Sequence, residues 1–539
     1  MLARVQSYLL QGIDALSCEV EVDHTDASDV RRTVVGLPDA AVKESLERVS
    51  AGLANSGYEE VRGRLLVNLA PADVRKEGPL YDLPIAIAIL MGRGVVRSEP
   101  DRRRYDRGAP PPPDEPGPGL DAREYLVAGE LALDGRVRPV RGVIAMAALA
   151  KSLGRRGVIV PAENAPEAAV VPGVEAIGVR TLAELVGLLN GGLEPRPYPT
   201  VDAASLLCTA RAEIDFADVR GQENVKRAIT VAAAGAHNLL MLGPAGTGKS
   251  MMAKALPGVL PPMTPEEAVE VTRVYSAAGK LEPGSGLVAV RPVRSPHHTA
   301  SGAAIIGGGI VPRPGEVSLA HRGVLFLDEL PEFPRFVLET LRQPLEDHVV
   351  TVARSHSAVR FPADFMLVAA MNPTPKGDVA PGEFGRREMD RYLARLSGPL
   401  LDRIDLHVEA PAVPFAELSA PRGSPNGGGA RGAAGTPRGT SSAAIRARVL
   451  QARAVQIARQ GPVTPNARLS GRQLDELAPL GDDARALLGQ AMSELGLSAR
   501  AYDKIRRVAR TLADLEEAET ITVTHVAEAV SYRLLDRKA

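Results

Sequence analysis

The stretch LMLGPAGTGKSMMAKAL, residues 240–256, decides the fold. Gly243, Gly246, Gly248, Lys249 and Ser250 form G-x-x-x-x-G-K-S, with Pro244, Ala245 and Thr247 completing the loop. An apolar run, NLLML, precedes it and a helix start, MMAKAL, follows. Strand, glycine-rich loop and helix in that order make a phosphate cradle. The glycines let backbone amides turn inward around phosphate oxygens, and the helix N-terminus adds its dipole. In such a loop Lys249 meets the β- and γ-phosphates and Ser250 takes Mg²⁺. ATP and Mg²⁺ are the expected cofactors, and a chance glycine-rich turn would lack the strand and helix on either side.

Working outward, the run VLFLDE (324–329) is a second apolar strand ending in two acids. Asp328 is expected to hold the metal through its water shell, and Glu329 to polarise the attacking water. A third strand, FMLVAAMN (365–372), is tipped by Asn372, placed to orient that water or sense the γ-phosphate; a strand-capping asparagine is the plainer alternative. Arg403 in LLDRIDLHV and Arg500 in LSARAYDKIRR are candidates for neutralising charge in the transition state. Spacing alone leaves open whether either acts within its own subunit or across an interface.

Two composition breaks divide the remainder. Residues 97–121, RSEPDRRRYDRGAPPPPDEPGPGLD, read as a mobile loop, and residues 411–440 as a flexible linker. The expected organisation is an α/β domain over 1–195, an ATPase core over 196–410 and a separate helical domain over 441–539. The first domain carries strand patterns at 18–23 and 64–70 and helix patterns at 38–56 and 143–153. The last carries helices at 441–459, 471–477, 482–495, 499–517 and 523–535. Lys+Arg and Asp+Glu number 64 and 65, a balance that argues neither for nor against nucleic acid, because a basic channel can hide inside a neutral total. Two cysteines, Cys18 and Cys208, make neither a zinc cluster nor a disulfide scaffold. The N-terminus is too polar for a signal peptide and no long apolar run occurs, so a cytoplasmic protein without a membrane partner is expected.

The long strings RPVRSPHHTASGAAIIGGGIVPRPGEVSLAHRGVLFLDELPEF and SGPLLDRIDLHVEAP closely resemble the ComM/YifB family of magnesium-chelatase-like AAA+ ATPases. VVGLPDAAVKESLERV and SARAYDKIRRVARTLADL match as well, so the resemblance spans nearly the whole chain outside the two breaks. It implies an α/β AAA+ core with a helix-2 insert and a helical lid, assembled as a homo-hexameric ring. The implied activity is DNA branch migration during natural transformation, with single-stranded and branched DNA, and possible recombination proteins, as partners. On this resemblance Arg403 matches a trans-acting arginine finger and Arg500 the sensor arginine of the lid. Residues 291–322 match the helix-2 insert, and 347–361 a hairpin that in related motors projects into the central channel. In that hairpin Arg354, His356 and Arg360 are the DNA-binding candidates, since a positive tip holds a phosphate backbone without reading bases. An ordinary exposed hairpin would show the same pattern. The adjacent pair His297 and His298 is read as structural or channel-lining rather than metal-binding.

The resemblance breaks in two places. Family members carry MNPCPCG, a zinc-knuckle pattern, where this chain has MNPTPKG with Thr374 and Lys376 at the cysteine positions, so no structural zinc is expected. Lys376, Arg386 and Arg387 are candidates for electrostatic compensation. The N-terminal segments resemble the protease domain of Lon, with Leu80 at the serine position and Ile144 at the lysine position. Leucine offers no nucleophile and isoleucine no base, so peptidase chemistry is excluded and the domain reads as a scaffold or DNA-facing platform. Lys43, Arg62, Arg64 and Lys76 are its scattered bases. Two rival functions remain: the motor subunit of a metal chelatase, and a binding platform that ATP only switches.

Overall fold

The computed structural model describes residues 2–25, 30–59, 63–96, 119–209, 211–309, 311–354, 357–374, 389, 391–413, 440–533 and 535. The chain is a mixed α/β protein of two compact units, Met1–Leu206 with Thr264–Ala289, and Leu207–Met263 with Val290–Ala539. Composition places the divisions at 195/196 and 410/411; the contacts place them elsewhere. Most of the proline-rich segment 97–121 and of the linker 411–440 lies outside the described residues.

The first unit contains a four-stranded sheet in the order Leu2–Gln11, Asp14–Thr25, Arg64–Ala70, Arg31–Val35. Its first three strands are antiparallel and the last pair is parallel. Val20, Val22, Leu65, Val67 and Leu69 alternate into the core, the period-2 pattern of a half-buried sheet. Helix Asp82–Gly92 is apolar all round and buried from Asp82 to Met91. Its one charge, Asp82, is met by Arg48 through Nε at 2.8 Å and Nη2 at 3.1 Å, and by the Leu131 amide at 3.2 Å. A second sheet of three parallel strands runs Tyr125–Val127, Gly157–Pro161, Glu175–Val179. Leu80 and Ile144, the positions compared with a protease dyad, are both buried apolar side chains. Lys76, read as a surface base, is fully buried and donates to the Pro71 carbonyl.

Helix Pro265–Ala278 lies inside the segment expected as ATPase core, yet it belongs to the first unit. A reciprocal cap between Thr264 and Glu267 starts it. Near its end the Ser276 hydroxyl donates to the buried carboxylate of Glu167 and accepts from the Gly142 amide at 2.8 Å. Glu167 also accepts from the Ile144 amide at 2.8 Å and from Asn164 at 3.1 Å. Burial pushes the Glu167 carboxyl up, and these donors act against that shift. A buried acceptor of this kind is costly to leave unmade, which is why the helix is held here.

The second unit is built on a five-stranded sheet in the order Val293–Arg294, Val324–Leu327, Met366–Met371, Leu239–Leu242, Leu406–Glu409, all parallel. The three middle strands are almost continuously apolar, as strands covered on both faces must be. Helix Glu223–Gly235 packs on helices Ser442–Gln460 and Ala499–Leu515. Ile445, Val449, Val508 and Val526 share one apolar core with Ile229, Leu239 and Val368. The C-terminal helices, expected as a separate domain, are therefore a layer of this unit: their apolar stripes are too wide to be buried among themselves. The segment 291–322 forms strand Val293–Arg294, helix Gly302–Ile306, a two-stranded ribbon of Gly307–Gly308 with Arg313–Pro314, and helix Glu316–Leu319.

A polar seam runs under strand Leu406–Glu409. Asp405 is buried and receives the Lys504 ammonium at 2.9 Å and the Asn238 amide at 3.0 Å. Burial pushes the Asp405 carboxyl up, but Lys504 and His237 outweigh it and hold the carboxyl far below the usual range. Arg533, buried in turn, donates to the Ile404 carbonyl at 2.6 Å and the Asp405 carbonyl at 3.3 Å. His407 is 1 % exposed, and burial, reinforced by Arg533 and Lys504, pulls its pKa well down. Such a histidine binds fewer protons folded than unfolded, so the folded chain loses stability as pH falls below the unfolded value of about 6.5. His237 shifts the same way through burial. The stability of this unit is expected to fall by up to about 1.4 kcal/mol per pH unit for each of the two histidines as pH drops below about 6.5. Chemical denaturation between pH 7.5 and 5.5 measures this slope, and His407→Leu is expected to make it shallower.

Candidate nucleotide site

Three strands deliver the site. Leu242, the last residue of the phosphate-loop strand, pairs with Met371, and Leu327 pairs with Ala369. Because the strands are parallel, Gly243, Asp328 and Asn372 all emerge at the same carboxyl edge, where open α/β sheets bind ligands. The Gly243 amide donates to Met371 at 3.1 Å, and a Cβ at Gly243 would stand 2.1 Å from the Ala410 carbonyl oxygen. Only glycine fits there. Gly246 and Gly248 have φ of +80° and +85°, and a Cβ on either would meet nothing within 4 Å. At these two positions the loop therefore presents bare backbone to open space, as a concavity for a chain of phosphates requires.

Lys249 lies at the start of helix Lys249–Ala255 and folds back over the loop. Its ammonium donates to the Gly243 and Pro244 carbonyls, both at 2.7 Å, and to Asn372 Oδ1 at 3.2 Å. Burial lowers its pKa, with Asp328 acting in the opposite direction. An arriving phosphate anion would supply what burial has removed. The Ser250 hydroxyl donates to Asp328 Oδ2 at 2.6 Å, and Asp328 Oδ1 accepts the Glu329 amide at 3.0 Å. A hydroxyl and a carboxylate side by side are the hard oxygens that Mg²⁺ takes alongside its waters and the nucleotide phosphates. The donor set thus fits Mg²⁺, held by Ser250 and Asp328, and ATP, held by the loop and Lys249.

Glu329 is half exposed and stands in the left-handed region at φ +52°, ψ +48°, uncommon for a residue other than glycine, asparagine or aspartate. Its Oε2 lies 3.2 Å from Nδ1 of His298. No sequence spacing announced this contact, since the two residues sit on different strand ends. Arg403 and Arg500 stand outside the hydrogen-bonded set of Lys249, Ser250, Asp328 and Asn372. Arg403 follows helix Gly398–Leu401, donates to the Pro399 carbonyl at 2.5 Å and pairs with Glu346. Arg500, on the first turn of helix Ala499–Leu515, lies 3.4 Å from Asp402 and is 68 % exposed.

The hairpin Val349–Arg354 with Ser357–Pro362 is antiparallel, with Thr351 opposite Arg360. Val350, Val352, Val359 and Phe361 are buried, whereas Thr351 and Arg360 are exposed. The Arg354 side chain, all of His356, and Lys376, Arg386 and Arg387 lie outside the described residues, as does Arg62. Thr374, at one of the substituted cysteine positions, is buried.

Residues 215–418 match the family model described as magnesium chelatase, subunit ChlI, and residues 439–533 match its C-terminal counterpart. Residues 20–105 and 117–164 match a third model, subunit ChlI of Mg-chelatase. The competence protein ComM of Haemophilus influenzae is 41% identical over 541 residues, covering 99% of this chain and 98% of that protein. The chain belongs to the ComM/YifB family. The YifB protein of Escherichia coli is likewise 41% identical, over 98% of this chain and 96% of its own length. The magnesium-chelatase 38 kDa subunit of Rhodobacter capsulatus is 28% identical over 37% of this chain and 56% of that protein. Membership of this magnesium-chelatase-like AAA+ family carries ATP hydrolysis with Mg²⁺. Among the described residues no helix is long and apolar enough to cross a membrane.

Removing single members of the site should separate binding from chemistry. Lys249→Ala is expected to weaken ATP binding at least tenfold, about 1.4 kcal/mol or more. Asn372→Ala should leave binding within about threefold while slowing hydrolysis about tenfold or more, since its side chain meets Lys249 at the strand end beside the phosphate loop. Equilibrium titration with a fluorescent nucleotide, beside steady-state hydrolysis, distinguishes the two.

Proposed function

We propose that the chain is an ATP-driven, ring-forming DNA motor that promotes branch migration of recombination intermediates, as in natural transformation. The observation that carries this reading is the full-length match to a protein named for competence, at 41% identity, combined with a phosphate loop whose donors fit MgATP. Bound MgATP supplies an electrophilic γ-phosphoryl group; the protein supplies orientation and charge. Lys249 holds the phosphates, Ser250 and Asp328 hold the metal, and Asn372 steadies Lys249 and the water. Glu329 takes a proton from that water. Arg403 and Arg500 are each engaged by an acidic residue, and a neighbouring subunit's nucleotide would compete for Arg403, so hydrolysis depends on assembly into a closed ring, here read as a hexamer. Arg360 on the exposed face of its hairpin supports contact with a phosphate backbone, and single-stranded and branched DNA are the substrates proposed.

A second reading, a motor subunit of a metal chelatase, is favoured by one observation: all three family models carry the chelatase subunit's description, including the one matched in the N-terminal region. The low coverage of the chelatase subunit itself, 37% of this chain, weighs against it.

Hydrolysis is expected to rise with single-stranded or four-way-junction DNA and steeply with protein concentration, with Glu329→Gln as the blank. Mixing inactive Arg403→Ala with inactive Lys249→Ala protein should restore part of the rate, because a mixed ring contains interfaces with an intact loop and an intact finger. Hydrolysis indifferent to DNA would point to a protein client instead.

A further inference from the structure

Helix Ser442–Gln460 buries one face through Ile445, Val449 and Ala452, yet its opposite face is not polar. Nine of its residues are exposed and seven of those are apolar, the reverse of what a side facing water needs. Ala443, Ala447, Leu450, Ala454 and Ile457 recur at spacings of four and three, which lays them in one seam along the helix. Leu450 is 40 % and Ile457 50 % exposed, and Val463, just past the helix end, is 82 % exposed. The helix carries four arginines and no acidic residue, with Arg446 and Arg448 flanking the seam.

Helix Asp482–Leu495 has the complementary character. Asp482, Ala486, Gly489 and Ser493 follow the same spacing, and all four are exposed. A Cβ at Gly489 would meet nothing within 4 Å, so this seam of small side chains lies open. Asp482, Asp483 and Glu494 set three acids against the single Arg485. Within the C-terminal layer, Ser442–Gln460 packs on Ala499–Leu515, that helix packs on Val523–Ser531, and Val523–Ser531 packs on Asp482–Leu495. The cationic seam of larger residues and the acidic seam of small ones thus stand on the first and last helices of the layer.

We propose that these seams are the two halves of one contact between copies of this chain. Ser442–Gln460 of one copy lies against Asp482–Leu495 of the next, with Leu450 and Ile457 entering the space over Ala486, Gly489 and Ser493. Two Ser442–Gln460 helices would pair less well with each other, because arginine would face arginine. A contact between unlike faces leaves one face of each kind free on every pair, so association runs head to tail until a ring closes. A helix of 19 residues is about 28 Å long and covers less than the roughly 800 Å² per partner of a stable pair. The contact therefore works as one of several in a ring, not as a free dimer. It deepens the ring reading above and rests on it.

Full-length protein with Cys208→Ser is the background for the test, since Cys208 is the exposed cysteine and Cys18 is buried. With MgATP and a short bis-maleimide, Leu450→Cys and Gly489→Cys on one chain are expected to give a ladder of cross-linked multimers. The two single variants mixed should give dimers alone, and either one by itself none. Arg446→Glu with Arg448→Glu, and separately Asp482→Lys with Asp483→Lys, should each raise the dissociation constant of assembly about tenfold in sedimentation velocity. All four changes together should bring it back to within about threefold of wild type, which a folding defect would not do. Wild-type assembly without the ladder overturns the contact and leaves the ring standing on another surface. A cross-link formed by Leu450→Cys alone also overturns it, by marking a two-fold pair, as does a charge exchange that fails to restore assembly. Wild-type protein that stays monomeric at every concentration, with MgATP and with single-stranded DNA, discards the ring itself and the contact with it.

Discussion

Register among three parallel strands is the constraint on which the rest of this protein depends. Strands Leu239–Leu242, Val324–Leu327 and Met366–Met371 are apolar because both faces of the sheet are covered, and a slip of one residue would turn every side chain to the opposite face. With register held, the first polar groups past the strand ends can only meet at one edge. That is where Lys249 reaches Asn372 and Ser250 reaches Asp328. The geometry of the candidate site is in this sense a by-product of burial: the strands are covered along their length, and polar side chains gather only past their ends.

The same economy governs the two arginines. Arg403 stands two residues before Asp405, and Arg500 one helical turn before Lys504. The buried Asp405–Lys504 pair therefore ties the segment bearing one arginine to the helix bearing the other. Removing either partner would leave an uncompensated charge inside the unit, so the tie is stiff even though a buried pair adds little net stability. Arg533 closes the arrangement by occupying the Ile404 and Asp405 carbonyls.

Glu329 and helix Pro265–Ala278 show where local rules yield. The glutamate accepts an unfavourable backbone because Asp328 takes its amide and His298 its carboxylate. The helix leaves the unit of its chain neighbours because Glu167, buried and pushed up in pKa, needs the Ser276 hydroxyl. In both cases a polar group that would otherwise be unsatisfied outweighs sequence proximity.

By itself the sequence determined the α/β class, most of the long periodic elements and the family. Strand Arg64–Ala70 and helices Gly471–Leu477 and Asp482–Leu495 begin and end where their patterns place them, because alternation, apolar stripes and glycine stops are local signals. The phosphate loop and the strand-end residues Asp328 and Asn372 were legible for the same reason: each follows an apolar run within a few residues. Domain boundaries were not. Composition marked 195/196 and 410/411, whereas the packing gathers Thr264–Ala289 with the N-terminal residues and the C-terminal helices with the phosphate loop. Buried Lys76 and the partners of Glu329, Asp405 and Glu167 were equally silent. What a side chain meets across the fold depends on which distant surface covers it, and only the tertiary structure, where desolvation sets the cost of every unpaired polar group, decides that.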